Sequence, residues 1–551
     1  MHTRTGTERI VLGQTMRMAG VAILAAALVF TAGTAPAAFA DGPSVGHRIE
    51  TLVVPGSVSG SSRPVKVHLW YPADKRDLSR ASTTEYTSAL HGRPLLSQWD
   101  ALSWTVESEI AREAEAIDPH GTPLPVIVFT HGATNDPIDY ARTLERIAAE
   151  GFVVAAPYHV NNTQDDARVD FINGRARAAT GFPLFATCDD GLPWGTTAPC
   201  ARTNLATSMQ ERVRDISRIL DALPGWFGNR VDASHAGVLG HSRGTVTALA
   251  AAGGSPTWGF GPEPRVKAIM GLAIGAPNVT FGANLANVHV PAVLVAGGLD
   301  RNSAQSVSEA AFDTISSADK LFVPIPNATH RSFDSDYCGQ LQSAGAAFDL
   351  DHDGVVELSD LDTDGDGVVE RSDLDSSRAI LDLHTVRLIA ASAPGGASGK
   401  AVHYCASDSF TSPVDIRQLV GALAGETPSS EFGCPGDAAG VCAPILGPTS
   451  VCTNTTVPCT GLDTEEVSHG VKEIAAAFFG SALERNGTGG VRFTRYLSPK
   501  WLMKHVPMVG DAEACAGPGS VLPPGQGVNC PAESPNRPGA VAHGLTRPDN
   551  E

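Results

Sequence analysis

A serine lies at the centre of a glycine-rich pentapeptide, residues 240–244, which reads Gly-His-Ser-Arg-Gly. It matches the pattern G-x-S-x-G, whose glycines permit a strained turn that exposes the hydroxyl of the central residue, here Ser242. A chance Gly-rich turn is the alternative. The surroundings favour the functional interpretation, because a strand-like segment (237–240) precedes the turn and an Ala-rich helical segment (246–252) follows it. We therefore predict Ser242 to be a nucleophile.

Two later residues have the types and the order that a serine nucleophile requires. A histidine base activates the hydroxyl, and a carboxylate orients the base. In chains with this kind of turn, the carboxylate follows the serine and the histidine comes last. Asp300 comes shortly after a predicted strand at 291–296, and His330 follows a predicted strand at 321–325. We predict Asp300 as the acid and His330 as the base of an acyl-transfer site.

Each assignment has an alternative. Asp300 has the residue type of an ordinary turn, and His330 has that of a surface loop. His469 is a rival base, although its position before a helical segment favours a capping or surface role. The preceding strand supplies no rival acid, because residues 275–277 are Gly-Ala-Pro.

Acyl transfer also needs backbone N–H groups that bind the developing oxyanion. The residue after the nucleophile, Arg243, is predicted to donate one of them through its main chain. The loop after the predicted strand 126–130 supplies the other, for which we select Ala133. His131 is predicted to be structural at the end of that strand.

The elements that must position these residues alternate between strand and helix along the chain. Short, fully apolar segments indicate buried parallel strands, and segments with apolar residues at helical spacing separate them. The predicted strands are 52–55, 65–71, 126–130, 152–156, 236–239, 266–274, 292–296 and 321–325. The predicted helices are 107–116, 139–150, 209–223, 246–252 and 467–483. This alternation predicts an α/β fold with a mostly parallel sheet flanked by helices.

Four segments resemble a known group of enzymes: 67–72 (VHLWYP), 128–132 (VFTHG), 240–244 (GHSRG) and 327–330 (NATH). They resemble the dienelactone-hydrolase-like and platelet-activating-factor-acetylhydrolase-like branch of α/β-hydrolases. The spacing of the three catalytic residues is similar to that of cutinases and polyester hydrolases, and the His-Ser-Arg-Gly turn is similar to that of chlorophyllases. The resemblance covers about residues 50–335 and 464–485. It departs from the acetylhydrolases at the acid, which they carry one strand earlier. It implies an α/β-hydrolase fold and carboxylic ester hydrolysis.

A second motif lies in an acidic insert, where two repeats at 349–360 and 362–373 follow the calcium-loop pattern D-x-D-x-D-G. Calcium takes six to eight oxygen ligands, which alternate aspartates on a tight turn supply. The predicted ligands are Asp349, Asp351, Asp353, Val355, Glu357, Asp360, Asp362, Asp364, Asp366, Val368, Glu370 and Asp373. Position 12 is Asp rather than the Glu of a standard EF-hand, as in dockerin-like loops, and a single residue separates the loops. The pair therefore resembles tandem dockerin or thrombospondin-type calcium repeats. An acidic surface run is the alternative.

Calcium is predicted to be structural, and no cofactor is predicted for catalysis. The formal net charge of −19 disfavours a nucleic-acid partner, because phosphate binding needs a basic face. The predicted partner is a small-molecule, lipid or polymeric ester, and the predicted state is a monomer.

The N-terminus has the features of a signal peptide, predicted to span 1–40. Basic residues precede an apolar run (21–30) and an A-x-A sequence at 38–40. The run is shorter than the ~20 apolar residues of a membrane anchor, so no anchor is expected after cleavage. A secreted, extracellular or periplasmic location follows.

The ten cysteines all lie after this segment, which agrees with disulfide formation in an exported chain. Proximity along the chain suggests the pairs Cys188–Cys200, Cys338–Cys405, Cys434–Cys442, Cys452–Cys459 and Cys515–Cys530. The predicted organisation is a hydrolase core (41–335), a calcium insert (336–463), a closing core helix (464–485) and a disulfide-stapled, Pro/Gly-rich tail (486–551).

The predicted function is thus a secreted serine esterase. Three alternatives remain: a lipase or phospholipase acting on acetylated lipids, a non-catalytic calcium-binding adhesion protein on a hydrolase scaffold, and a peptidase with the same triad.

Overall fold

The fold is given by a computed structural model of the whole chain. It describes residues 44–55, 62–74, 84–87, 105–108, 110–112, 114–116, 122–132, 135–159, 198–275, 283–298, 300, 303–326, 328, 330–335, 464–483, 497–506, 508–510 and 512–515. All of them belong to one compact unit, Gly42–Glu551; the other unit, Met1–Asp41, contains none.

Within this unit, the described residues form a ten-stranded sheet. Its strands are β1 (Ser44–Pro55), β2 (Ser62–Ala73), β5 (Ala111–Arg112), β6 (Leu124–Thr130), β7 (Val153–Pro157), β8 (Val231–His241), β9 (Val266–Leu272), β10 (Ala292–Gly297), β11 (Lys320–Ile325) and β12 (Glu513–Cys515). Their spatial order is β12-β11-β10-β9-β8-β6-β7-β2-β1-β5. The six adjacent strands β7, β6, β8, β9, β10 and β11 pair in parallel. At the two ends of this block, β2 pairs antiparallel with β7 and β12 pairs antiparallel with β11. The predicted mostly parallel sheet is confirmed.

Within the described ranges, six α-helices accompany the sheet: α1 (Ala141–Ala149), α2 (Ala198–Phe227), α3 (Arg243–Gly253), α4 (Gln305–Thr314), α5 (Thr464–Leu483) and α6 (Pro499–His505). Side chains of α2, α3 and α4 share one hydrophobic cluster with the strands. Phe479 of α5 packs against Gly237, while the adjacent Ala236 and Val238 belong to that cluster. Successive strand residues point to opposite faces, so helices cover both faces of the sheet.

The predicted short helix at 107–116 is wrong. A small sheet pairs β3 (Thr84–Thr87) with β4 (Thr105–Ser108), and residues 111–112 form β5 beside β1. Strand pairing therefore outweighs the local preference of residues 107–116 for helix, because propensity is weaker than tertiary context.

The region assigned to the tail contributes α6 and β12, and β12 extends the sheet beside β11. The two calcium loops and residues 1–40 lie outside the described residues. Each predicted disulfide includes at least one cysteine that also lies outside them. None of the described helices combines the length and the apolar character needed to cross a bilayer.

Candidate active site

Ser242 occupies a sharp turn between β8 and α3. Its backbone has φ 54° and ψ −117°, a conformation that L residues rarely adopt. The flanking glycines make the turn possible through close approach: a Cβ on Gly240 would lie 2.2 Å from the Gly244 carbonyl oxygen, and one on Gly244 would lie 1.8 Å from that of Thr130. The close packing at Gly240 and Gly244 therefore accounts for the strained backbone of Ser242. The turn leaves Ser242 partly exposed.

The three residues predicted to form the catalytic triad lie together. Ser242 Oγ is 2.9 Å from His330 Nε2, and His330 Nδ1 is 2.7 Å from Asp300 Oδ2. Ser242 follows β8, Asp300 follows β10 and His330 follows β11. Because the carboxyl ends of parallel strands meet at one edge of a sheet, residues far apart in sequence form a continuous hydrogen-bonded chain there.

Asp300 is held so that one oxygen remains directed at the base. Its Oδ1 accepts the backbone N–H of Ser303 at 2.8 Å, and its own N–H donates to the Gly297 carbonyl at 3.2 Å. Asp300 is 4% exposed and His330 is 9% exposed. In this desolvated setting, the Asp300 carboxylate fixes the ring so that Nδ1 carries the proton and Nε2 accepts from Ser242.

The N-terminus of α3, which is the positive end of the helix dipole, lies next to Ser242, the predicted nucleophile. Arg243 is the first residue of α3, so its backbone N–H lies in the turn where N–H groups point out of a helix. Gly132, after β6, is close to the serine, since a Cβ built on it would lie 3.4 Å from Ser242 Cβ. The second predicted donor, Ala133, lies outside the described residues.

Two further side chains, Tyr140 and His241, form hydrogen bonds that lead to His330, the predicted base, and sequence reasoning assigned a role to neither. His241 Nε2 lies 3.0 Å from the His330 carbonyl oxygen, and His241 Nδ1 lies 2.6 Å from the Tyr140 hydroxyl. Burial, followed by the charges of His330 and Arg331, lowers the pKa of His241 well below its usual value. His241 occupies a variable position of G-x-S-x-G, so the motif itself carries no signal for this role.

A second hydrogen-bonded chain of similar residue types lies in the interior and begins at Thr130, the last residue of β6. Thr130 Oγ1 is 2.9 Å from His159 Nε2, and His159 Nδ1 is 2.9 Å from Asp215 Oδ2. These three residues, which we call the buried triad, are at most 1% exposed. The His159 backbone N–H also donates to His131 Nε2 at 3.1 Å. The predicted structural role of His131 agrees with this geometry.

Two buried arginines contact the buried triad. Arg63 pairs with Asp215, and Arg212 donates to Thr130 Oγ1 at 3.1 Å and to the His131 carbonyl. Burial raises the pKa of Asp215 to about 6, although Arg63 opposes the shift. Burial, with Arg212 and Arg63, lowers the pKa of His159 well below its usual value. At neutral pH Asp215 is therefore ionised and His159 is neutral.

The rival base does not reach the catalytic triad. His469 lies on α5 with its side chain 59% exposed, 3.5 Å from Glu465. Within the described part of the chain, no group of three or more His, Cys, Asp or Glu side chains is placed to hold a metal ion. The twelve predicted calcium ligands lie outside that part.

The chain matches no protein-family model and no curated protein. Among solved structures, it is similar to a ferulic acid esterase from Streptomyces cinnamoneus, at 21% sequence identity and a TM-score of 0.35. The match covers 53% of this chain and 76% of the esterase.

Proposed function

We propose that the protein is a serine hydrolase that cleaves carboxylic esters through an acyl-enzyme. The observation that carries the proposal is the continuous chain from Ser242 through His330 to Asp300, with a partly exposed nucleophile at a strained turn. The chain order Ser, Asp, His and the strand–turn–helix setting are those of the α/β-hydrolases, which supports that fold assignment.

The mechanism follows from the positions of the protons. His330 Nε2 removes the proton of Ser242 as Oγ attacks the ester carbonyl carbon, and Asp300 stabilises the imidazolium that forms. The Arg243 N–H and a donor from the loop after β6, proposed to be Ala133, bind the oxyanion. His330 then protonates the leaving alcohol. A water molecule, deprotonated by His330, hydrolyses the acyl-enzyme and restores Ser242.

Hydrolysis of p-nitrophenyl esters, from acetate to palmitate, tests this proposal. Wild-type protein is expected to turn over at least one ester, and Ser242→Ala is expected to lose about 10⁵- to 10⁶-fold in kcat. Ser234→Ala is the matched control, since it removes an exposed serine from the same strand, β8. Wild-type turnover that persists in Ser242→Ala would contradict the proposal.

The chain-length profile decides between the substrate classes. A maximum at short acyl chains would support a small-molecule or polymeric ester, whereas a maximum at palmitate with lipid dispersions would support the lipase alternative. A folded wild-type protein that hydrolyses no ester but binds cell-wall material in calcium would support the adhesion alternative.

We further propose that the protein is secreted and that calcium stabilises the insert 336–463. The support is the sequence: a signal-like N-terminus and eleven acidic residues within 349–375 that repel one another without a cation. Chelation of calcium is expected to lower the melting temperature of the mature protein and restoration of calcium to recover it. An unchanged melting curve after chelation would contradict a structural role for calcium.

A further inference from the structure

The hydrogen bonds around Tyr140 connect the two halves of the active site. The backbone N–H of Gly132, in the loop that approaches the nucleophile, donates to the Tyr140 hydroxyl at 3.4 Å. The same hydroxyl lies 2.6 Å from His241 Nδ1, and His241 Nε2 lies 3.0 Å from the His330 carbonyl oxygen. A single chain of contacts therefore runs from Gly132, in the loop after β6 that we call the oxyanion loop, to the backbone of the proposed base, His330.

The donor and the acceptor of each hydrogen bond in this chain can be assigned. The His330 carbonyl oxygen accepts but cannot donate, so His241 Nε2 must carry its proton. Burial keeps His241 neutral, which leaves Nδ1 without a proton and able to accept. The Tyr140 O–H must then donate to Nδ1, while its oxygen accepts from Gly132. Tyr140 and His241 are 1% and 0% exposed, so water does not compete for these bonds.

The packing around the pair supports a positioning role. The ring centroids of His241 and His330 lie 4.8 Å apart, and those of His241 and Phe333 lie 5.9 Å apart. Tyr140 packs against Phe129 of β6, next to the oxyanion loop, with their ring centroids 4.7 Å apart. Among the described residues, the other charged or titratable groups near His241 include Arg331, Asp334 and His131. Asp334 is itself paired with Arg331.

We propose that Tyr140 and His241 are positioning residues that fix the catalytic base and the oxyanion loop relative to each other. Neither touches a reacting atom. The pair ties His330 to the protein through its carbonyl oxygen, and it ties the loop through the Gly132 N–H. This inference rests on the proposed ester hydrolysis, because it concerns the same site.

The test compares substitutions that keep one hydrogen bond of His241 and remove the other. Glutamine places its amide nitrogen near the position of Nε2 and keeps the donor to His330. Asparagine places its amide near Nδ1 and loses that donor. Tyr140→Phe removes the hydroxyl with little change of shape. His47→Asn is the matched control, since His47 is a buried, hydrogen-bonded histidine on β1, separated from β8 by three strands.

With p-nitrophenyl acetate, His241→Asn is expected to lower kcat by about 10²-fold through misplacement of the base, with KM changed by less than about twofold. His241→Gln is expected to retain kcat within about tenfold of wild type, and Tyr140→Phe to lose about tenfold. His47→Asn is expected to keep the wild-type kcat. Melting temperatures measured in parallel show that each variant is folded.

Wild-type kcat in both His241→Asn and Tyr140→Phe would overturn the inference, as would equal losses in the Gln and Asn variants. If His241→Asn does not fold, Tyr140→Phe decides the matter, because an unchanged kcat there also overturns it. Failure of the proposed function is distinguishable, since the wild-type protein would then show no Ser242-dependent turnover at all.

Discussion

The catalytic triad and the buried triad have the same connectivity but different surroundings. In each, a hydroxyl faces His Nε2 at 2.9 Å, and Nδ1 of the same ring faces a carboxylate, at 2.7 Å from Asp300 and 2.9 Å from Asp215. Hydrogen-bond geometry alone would not tell the two apart.

Exposure and backbone conformation separate them. Ser242 is partly exposed on a turn with positive φ, next to the first N–H of α3. Thr130 is fully buried as the last residue of β6, and its oxygen already accepts from Arg212. A substrate carbonyl can approach Ser242 but not Thr130. Ser242 is therefore a candidate nucleophile because it is accessible and lies beside an N–H group that can bind an anion, whereas Thr130 is buried and hydrogen-bonded to His159 and Arg212.

The largest expected difference between the triads is in the loss of kcat when the carboxylate is replaced by an amide. Asp300→Asn is expected to lower kcat by about 10⁴-fold, because the amide no longer holds the base in the correct tautomer. Asp215→Asn is the matched substitution in the buried triad and is expected to change kcat by less than about tenfold. Steady-state kinetics on the same ester measures both values, and equal losses would remove the distinction.

The next largest effect is a dependence of stability on pH. Burial raises the folded-state pKa of Asp215 from 3.8 to about 6. Between these values the folded state binds a proton that the unfolded state has lost, so the contribution of Asp215 to stability falls as pH rises. The free energy of unfolding of Asp215→Asn relative to wild type is expected to rise by up to about 1.4 kcal/mol per pH unit between pH 4 and 6, and to stay constant above pH 7.

Denaturant titrations of the two proteins at each pH measure that difference, in which the titration of His159 largely cancels. Parallel pH profiles for wild type and Asp215→Asn would show that Asp215 is ionised throughout, against the electrostatic description of the buried triad.

The smallest effect concerns the hydroxyl of the buried triad. Thr130→Val keeps the shape but leaves His159 Nε2 and Arg212 without that partner, which is expected to cost about 1–3 kcal/mol of unfolding free energy. Thr130→Ser, which keeps the hydroxyl, is expected to lose less unfolding free energy than Thr130→Val. Denaturant unfolding compares the two variants, and a Val variant as stable as the Ser variant would show that the hydroxyl is not required.

That Ser242, Asp300 and His330 come together could be predicted from the sequence, because each of them follows a short, apolar, buried strand. The nucleophile also carries a motif, and the chain order assigns the other two roles. Strand ends that lie far apart in sequence then meet at one edge of a parallel sheet, which brings together residues whose spacing alone gives no distance.

The buried triad was not predictable from the same signals. His159 follows β7 much as His330 follows β11, and the chain does not show which histidine receives which hydroxyl. Asp215 lies within α2 between the apolar positions Val213 and Ile216, where a carboxylate looks like a surface residue. Strands β3, β4 and β12 were also missed, because strands of three or four residues carry too little periodicity.

The central claim is that Ser242, and not Thr130, is the nucleophile. Intact-mass analysis followed by peptide mapping after treatment with an alkyl fluorophosphonate tests it most directly. The account predicts one adduct per chain, on Ser242, which is absent from Ser242→Ala and retained in Thr130→Val. An adduct that maps to Thr130, or a folded wild-type protein that forms no adduct while hydrolysing esters, would contradict the account.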